Sequence, residues 1–306
     1  MGLRAAKAAF FTGEAEIMLY IIANELAGSG AGAETLRRVK ALLEERRIPY
    51  ECRVTEWAGH ATELAREAAD SGKTEIVSLG GDGTNFEIVN GLGGRFAKLY
   101  FVPCGTGNDF VRMLNLPRDP VDAFQAQLDG KPRRIDVGEV NEFHFLNVSG
   151  CGFDADVLRQ ADRFKKLGKG LLPYLLGIFA ALKSFRPMTV EWTENGRTVK
   201  KDVTIYTLGN GSYFGGGMKA VPHAVIDDGK FDRIIADAMG RGTILRMLSK
   251  FIPGKHTSLP QVREDRCTEV TLRCPGMTVN IDGELFRMDE ARYRIIPGAI
   301  EISLPA

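Results

Sequence analysis

Between Met18 and Val102 the chain alternates four times between short apolar runs and stretches with a helical apolar face, and few folds accept that alternation. Met18 to Ala23 (MLYIIA) is apolar at consecutive positions, as a strand buried on both faces requires. A Gly/Ser-rich turn follows, and from Ala33 to Arg46 the residues Leu36, Val39 and Leu43 share one helical face. Further strands are expected at Tyr50 to Val54, Glu75 to Leu79 and Leu99 to Val102. Helices are expected over Ala61 to Ala69 and near Glu87 to Leu92. Such alternation over about 85 residues predicts an α/β amino-terminal domain with a doubly wound parallel sheet.

The pattern changes near Val137. Strands are expected at Phe143 to Val148, Thr189 to Trp192, Val203 to Leu208, Phe231 to Ala236, Val270 to Leu272 and Thr278 to Ile281. Asn195-Gly196 and Pro275-Gly276 read as turns between them. Helical stretches at 157–185 and 242–252 interrupt the strands. A β-rich, antiparallel, sandwich-like second domain is therefore expected, and 306 residues suit two cores better than one.

The sharpest chemical signal is Gly80-Gly81-Asp82-Gly83-Thr84, directly after the apolar strand Ile76 to Leu79. In an open parallel sheet ligands bind beyond the carboxyl ends of the strands. Glycines there let backbone amides approach phosphate oxygens, a following helix start adds positive potential, and Asp82 supplies a carboxylate where magnesium bridging phosphates could be held. A second loop, Pro103 to Phe110, brings Gly105-Thr106-Gly107 and Asp109 to the same sheet edge. Gly28, Gly30 and Ala33 match a dinucleotide pattern, but the glycines start four residues past the strand. Ser71-Gly72-Lys73-Thr74 lacks the first glycine of a P-loop, because position 67 is Glu67.

Composition closes other routes. A net charge of +1 gives no polycation for nucleic acid. Five scattered cysteines contain no Cys-x-x-Cys pair and no zinc spacing, which suits a reducing, cytoplasmic setting. The start of the chain lacks the apolar core of a signal peptide. Leu171 to Leu182, interrupted by Pro173 and Gly177, is too short to span a bilayer.

Together with Gly152-Phe153-Asp154-Ala155, Asn210-Gly211, Gly215-Gly216-Gly217, Asp227 to Asp232 and Asp282-Gly283-Glu284, these loops resemble the soluble bacterial diacylglycerol kinase-like lipid kinases, relatives of sphingosine and ceramide kinases. The resemblance runs from Tyr20 to Leu304. It implies a nucleotide-binding domain over 17–138, with 295–306 returning to it, and a lipid-binding domain over 139–294. It implies that Asn24, Gly28, Thr55, Gly80, Gly81, Asp82, Gly83, Thr84 and Thr106 contact ATP, with Asp82 beside the catalytic Mg2+. A structural Mg2+ would be bound by Asp228 and the carbonyls of Val225 and Lys230, reached through water from Asp109 and Asp136. Glu284 would be the general base.

Two residues depart from the family pattern: Glu25 stands where proline is usual, and Asn85-Phe86 replaces Leu-Asn. The expected reaction is transfer of the ATP γ-phosphate to a lipid hydroxyl, diacylglycerol first among candidates, with a sphingoid base or phosphatidylglycerol as variants. NAD kinase and a non-catalytic ATP- and lipid-binding regulator are the rivals. Residues 155–190 carry seven basic and two acidic side chains, and Arg241, Arg246, Lys250 and Lys255 follow, which suits peripheral contact with an anionic membrane. Lys165, Lys166 and Lys169 are central to that expectation. Oligomeric state is open, a homodimer included.

Overall fold

The computed structural model describes residues 18–167 and 171–305, with the side chains of 165–167 excluded. The amino-terminal segment read for a signal peptide, and the side chains of Lys165, Lys166 and Lys169, lie outside the described residues.

The first half holds β1 (Leu19–Ala23), α1 (Ala27–Glu45), β2 (Tyr50–Val54), α2 (His60–Asp70), β3 (Glu75–Gly80), α3 (Asp82–Leu92), β4 (Ala97–Pro103) and α4 (Pro120–Leu128). Its strands pair in parallel in the order β2-β1-β3-β4. Side chains alternate across a strand. Tyr20 and Ile22 therefore pack with Leu64 and Ala65 of α2 and Ile88 of α3, whereas Leu19 and Ile21 meet Leu36 and Val39 of α1 and Phe124 of α4. Both faces of β1 are covered, which explains its unbroken apolar sequence. Each fully buried Leu or Ile contributes about 1.5–3 kcal/mol.

The second half follows with β5 (Lys131–Val140), β6 (Phe143–Phe145), β7 (Val148–Gly152), α5 (Phe153–Ala161), α6 (Leu172–Ser184), β8 (Met188–Glu194), β9 (Arg197–Gly209), the short pair β10 (Tyr213–Phe214) and β11 (Met218–Lys219), β12 (Phe231–Asp237), α7 (Arg241–Phe251), β13 (Val262–Cys267), β14 (Glu269–Ile281) and β15 (Glu284–Leu304). These strands pair antiparallel among themselves, with β7 and β8 end to end between β9 and β14. Phe145, Tyr206, Phe231, Leu272 and Val279 lie in their core. β15 belongs to both halves. It pairs antiparallel with β14 and β5, and Ile300–Ile302 run parallel to β4.

Several expected boundaries shift. α3 begins at Asp82, inside the glycine motif. The expected helix over 157–185 is two helices, α5 and α6, with Pro173 in the first turn of α6, where its missing N–H costs nothing. The segments Val270 to Leu272 and Thr278 to Ile281 form one strand. Pro275-Gly276 is a register shift within it, not a turn. α4 was not expected, although Asp119-Pro120 is a start signal: Asp119 Oδ1 accepts from the Val121 amide at 2.8 Å.

Candidate active site

The parallel register ends all four strands at one edge. There the Asn24 amide donates to the Leu79 carbonyl, Thr55 to Ala23 and Cys104 to Gly80, each at 2.8 Å. Four loops therefore stand side by side. The loops after β3 and β4 touch through glycine: a Cβ on Gly105 would lie 2.6 Å from Gly81 Cα. Gly28 is equally constrained, with φ +63° and a would-be Cβ 2.1 Å from the Cys104 carbonyl oxygen.

Asp82 sits in the first turn of α3, where the helix end favours negative charge. Its Oδ1 accepts from the Asp109 amide at 2.8 Å. Asp109 in turn accepts from the Gly216 amide at 2.8 Å through Oδ2. Its buried Oδ1 has no hydrogen-bond donor and lies 3.7 Å from Arg112 Nε. Burial and then the Asp109 charge push the Asp82 carboxyl well above the usual carboxylate range, and burial raises Asp109 as well.

The opposite wall is a hairpin. Asp282 (φ +48°) and Gly283 (φ +98°) turn β14 into β15, as the Asp-Gly dipeptide favours. The Asp282 carboxylate accepts from three amides, Leu146 at 2.7 Å, Asn147 at 3.0 Å and Val148 at 2.8 Å, while burial lifts it to about 6. That tie fixes the exposed Glu284 across from α3. Its Oε1 lies 3.9 Å from where a Cβ on Gly83 would be.

Between these walls is a cleft of about 520 Å³. Asn24, Gly28, Thr55, Gly81, Asp82, Gly83, Thr84, Thr106, Asp109 and Glu284 all line it. Gly80 does not; it closes β3, where a side chain would strike Thr84. Asn24 Nδ2 lies 3.5 Å from Thr84 Oγ1. The displaced Asn85 accepts from Ser78 Oγ at 2.6 Å, so its side-chain oxygen serves the core.

A second group lies outside the cleft lining. Asp136 accepts from the Gly229 and Gly298 amides at 2.7 and 2.8 Å, and burial raises its carboxyl. Asp228 pairs with Arg266 at 3.1 Å and accepts from the Lys230 amide at 3.1 Å. Asp109 therefore joins Asp82, whereas Asp136 joins the turn of Asp228 and Lys230 through the Gly229 amide. Among the described residues no three His, Cys, Asp or Glu side chains converge as a metal cluster.

The motifs did not mark Asn147, Trp57 and Tyr174, which also line the cleft. Tyr174 comes from α6, inside an apolar run, and burial with the Asp109 and Asp82 charges raises its hydroxyl. Asn147 extends a buried network: its carbonyl accepts from the amides of Asn210 and Gly211.

Residues 18–140 match the diacylglycerol kinase catalytic domain, and residues 147–304 match the YegS C-terminal NAD kinase beta sandwich-like domain. A diacylglycerol kinase of Bacillus subtilis is 30% identical over 289 residues, covering 93% of this chain and 95% of the relative. The chain belongs to the diacylglycerol kinase-like lipid kinase family. This lipid kinase is also 29% identical over 291 residues to a diacylglycerol kinase of Mycobacterium tuberculosis, covering 93% of this chain and 94% of the relative. A crystal structure of a diacylglycerol kinase from Bacillus anthracis shares its fold, with TM-score 0.73, 23% identity, and coverage of 94% of this chain and 97% of the other. As a kinase of this family it takes ATP as phosphate donor. It has two domains, the second β-rich, and among the described residues no helix is long and apolar enough to cross a membrane.

Proposed function

We propose that this lipid kinase phosphorylates the free hydroxyl of diacylglycerol, giving phosphatidic acid and ADP, with magnesium at the Asp82–Asp109 pair. The observation that carries the reading is a shared wall. Val148 and Phe214 border both the cleft and an apolar cavity of about 60 Å³ lined by Val157, Ile178, Met218 and Met247. A molecule with one hydroxyl and an apolar body matches that arrangement. The cover is thin, because α7 buries only Ile244, so a small shift of α7 admits an acyl chain.

In this reading residues 17–138 with 295–306 hold the nucleotide and residues 139–294 hold the lipid. The α3 amino terminus and the Gly81–Thr84 backbone cradle phosphate oxygens, with Asn24, Gly28, Thr55 and Thr106 along the same edge. Glu284 accepts the hydroxyl proton as that oxygen bonds to the γ-phosphorus. The bond from phosphorus to the bridging oxygen breaks, and ADP leaves with the electron pair. Magnesium fits the buried pair: Asp109 Oδ1 has no hydrogen-bond donor and only a distant Arg112 beside it, and a bound cation would offset the burial and mutual repulsion that raise the Asp82 carboxyl. When bound, the ion neutralises charge on the phosphates. A structural ion at Asp228, Val225 and Lys230 fits less well, since Arg266 occupies Asp228 and amides occupy both Asp136 oxygens. No step depends on it.

Contact with an anionic bilayer is the natural route for the lipid. Leu172 and Phe179 on α6 and Leu245 on α7 are exposed beside Lys183, Arg186, Arg241 and Arg246. The test is transfer of labelled phosphate from ATP to diacylglycerol, sphingosine or phosphatidylglycerol in anionic vesicles, for wild type and Asp82→Ala. Labelled phosphatidic acid made by wild type alone is expected. Label on another lipid alone would replace the acceptor, and no label on any would remove turnover.

A further inference from the structure

Trp57 is half exposed, at 52%, although it is one of only two tryptophans in the chain and the other, Trp192, is buried. Its setting is specific. The indole lies flat on the His60 imidazole, with centroids 3.8 Å apart and planes 6° from parallel. His60 is itself fixed, because its Nδ1 accepts the Glu56 amide at 3.0 Å. The loop is anchored from below by Glu87 of α3, whose carboxylate accepts from Gly59 at 2.9 Å and Ala61 at 3.1 Å, capping α2. One indole face is thus covered by a clamped imidazole, and the residue lines the cleft. Leu26, 82% exposed on the neighbouring β1–α1 loop, borders the same end of the cleft.

We propose that Trp57 is the platform on which the purine base of the nucleotide stacks, with Leu26 across from it. The inference rests on the ATP reading of the cleft and deepens it. Strand order supplies the distance. The phosphate-type loops follow β3 and β4, Trp57 follows β2, and β1 lies between. Neighbouring strands are about 4.8 Å apart, so the base end lies roughly 10 Å from the Gly80–Gly83 loop. A ribose with one or two phosphates bridges that span. A base resting on a free indole face gains stacking, and the prefixed ring loses little rotamer freedom on binding.

Two tryptophans make the test direct. Tryptophan emission is followed while the full-length protein is titrated with ATP and, separately, with inorganic tripolyphosphate; affinities are measured by calorimetry for wild type, Trp57→Phe and Trp57→Ala. ATP should quench wild-type emission and tripolyphosphate should not. Trp57→Phe should lose the quench yet keep affinity within about three-fold, since the phenyl ring still stacks. Trp57→Ala should weaken ATP about ten-fold, leave tripolyphosphate affinity unchanged, and raise KM for ATP with kcat nearly constant. ATP binding as tightly to Trp57→Ala as to wild type overturns the platform and leaves the nucleotide reading intact. A wild type that binds no ATP overturns both.

Discussion

The two walls of the cleft are made of different material. On the β1–β4 side, loops meet the ligand space with backbone and glycine, and contacts such as Gly105 against Gly81 leave no room for a side chain. On the β7–α7 side the adjoining cavity is lined by Ile178, Met218, Met247 and Phe251, side chains that repack under a thin helical cover. Backbone walls suit a constant ligand such as a triphosphate. Walls of methionine and aliphatic residues suit a class of ligands that vary in length and saturation. The first wall should therefore fail abruptly under substitution and the second by degrees.

The contrast can be broken first on the hairpin that faces the glycine loops. Glu284→Gln should lower kcat by about 10²-fold or more with KM for ATP little changed, measured by labelled phosphate transfer; an unaltered kcat would leave the cleft without its base. Next, Gly105→Ala pushes a methyl against Gly81 and should raise KM for ATP about ten-fold while KM for lipid stays constant. Ile178→Phe should do the reverse, raising KM for long-chain diacylglycerol several-fold and sparing both short-chain lipid and ATP.

The smallest effect is on stability. Asp154 is buried beside the apolar cavity, its Oδ1 has no partner, and burial lifts its carboxyl from 3.8 to about 6. The folded state thus holds a proton that the unfolded chain releases at lower pH. The stability linked to it is fully present below about pH 4 and is lost as pH rises through about 6. Asp154→Asn should raise Tm by about 3 °C at pH 8 and by almost nothing at pH 4, as thermal melts would record. An equal gain at both values would mean that the carboxylate stays charged.

Legibility in the sequence follows the same division. β1, β3 and β4 could be read because both faces of each are covered, leaving unbroken apolar runs. The loop at Gly80 to Thr84 could be read because a glycine-rich strand end has few structural uses. The sequence places the Asp109 carboxylate at the right edge, but its hydrogen bond to Asp82 spans 27 positions and no spacing rule contains it. Asp282-Gly283 is a turn dipeptide by residue type alone, but nothing in the sequence shows the grip of Asp282 on the 146–148 backbone. Trp57 left no signal, because its meaning depends on what covers one face of its ring. In the second half, a register shift at Pro275-Gly276 looks like a turn when only residue types are known.

β15 carries one more consequence. Until residues 300–302 have left the ribosome, the edge of β4 has no partner, although β4 itself was made about 200 residues earlier. The nascent amino-terminal half must wait with an open sheet edge, a site where another strand can add. Completion of the first domain is thereby timed by synthesis of the second, and a chain stalled before that point would offer chaperones a bare strand.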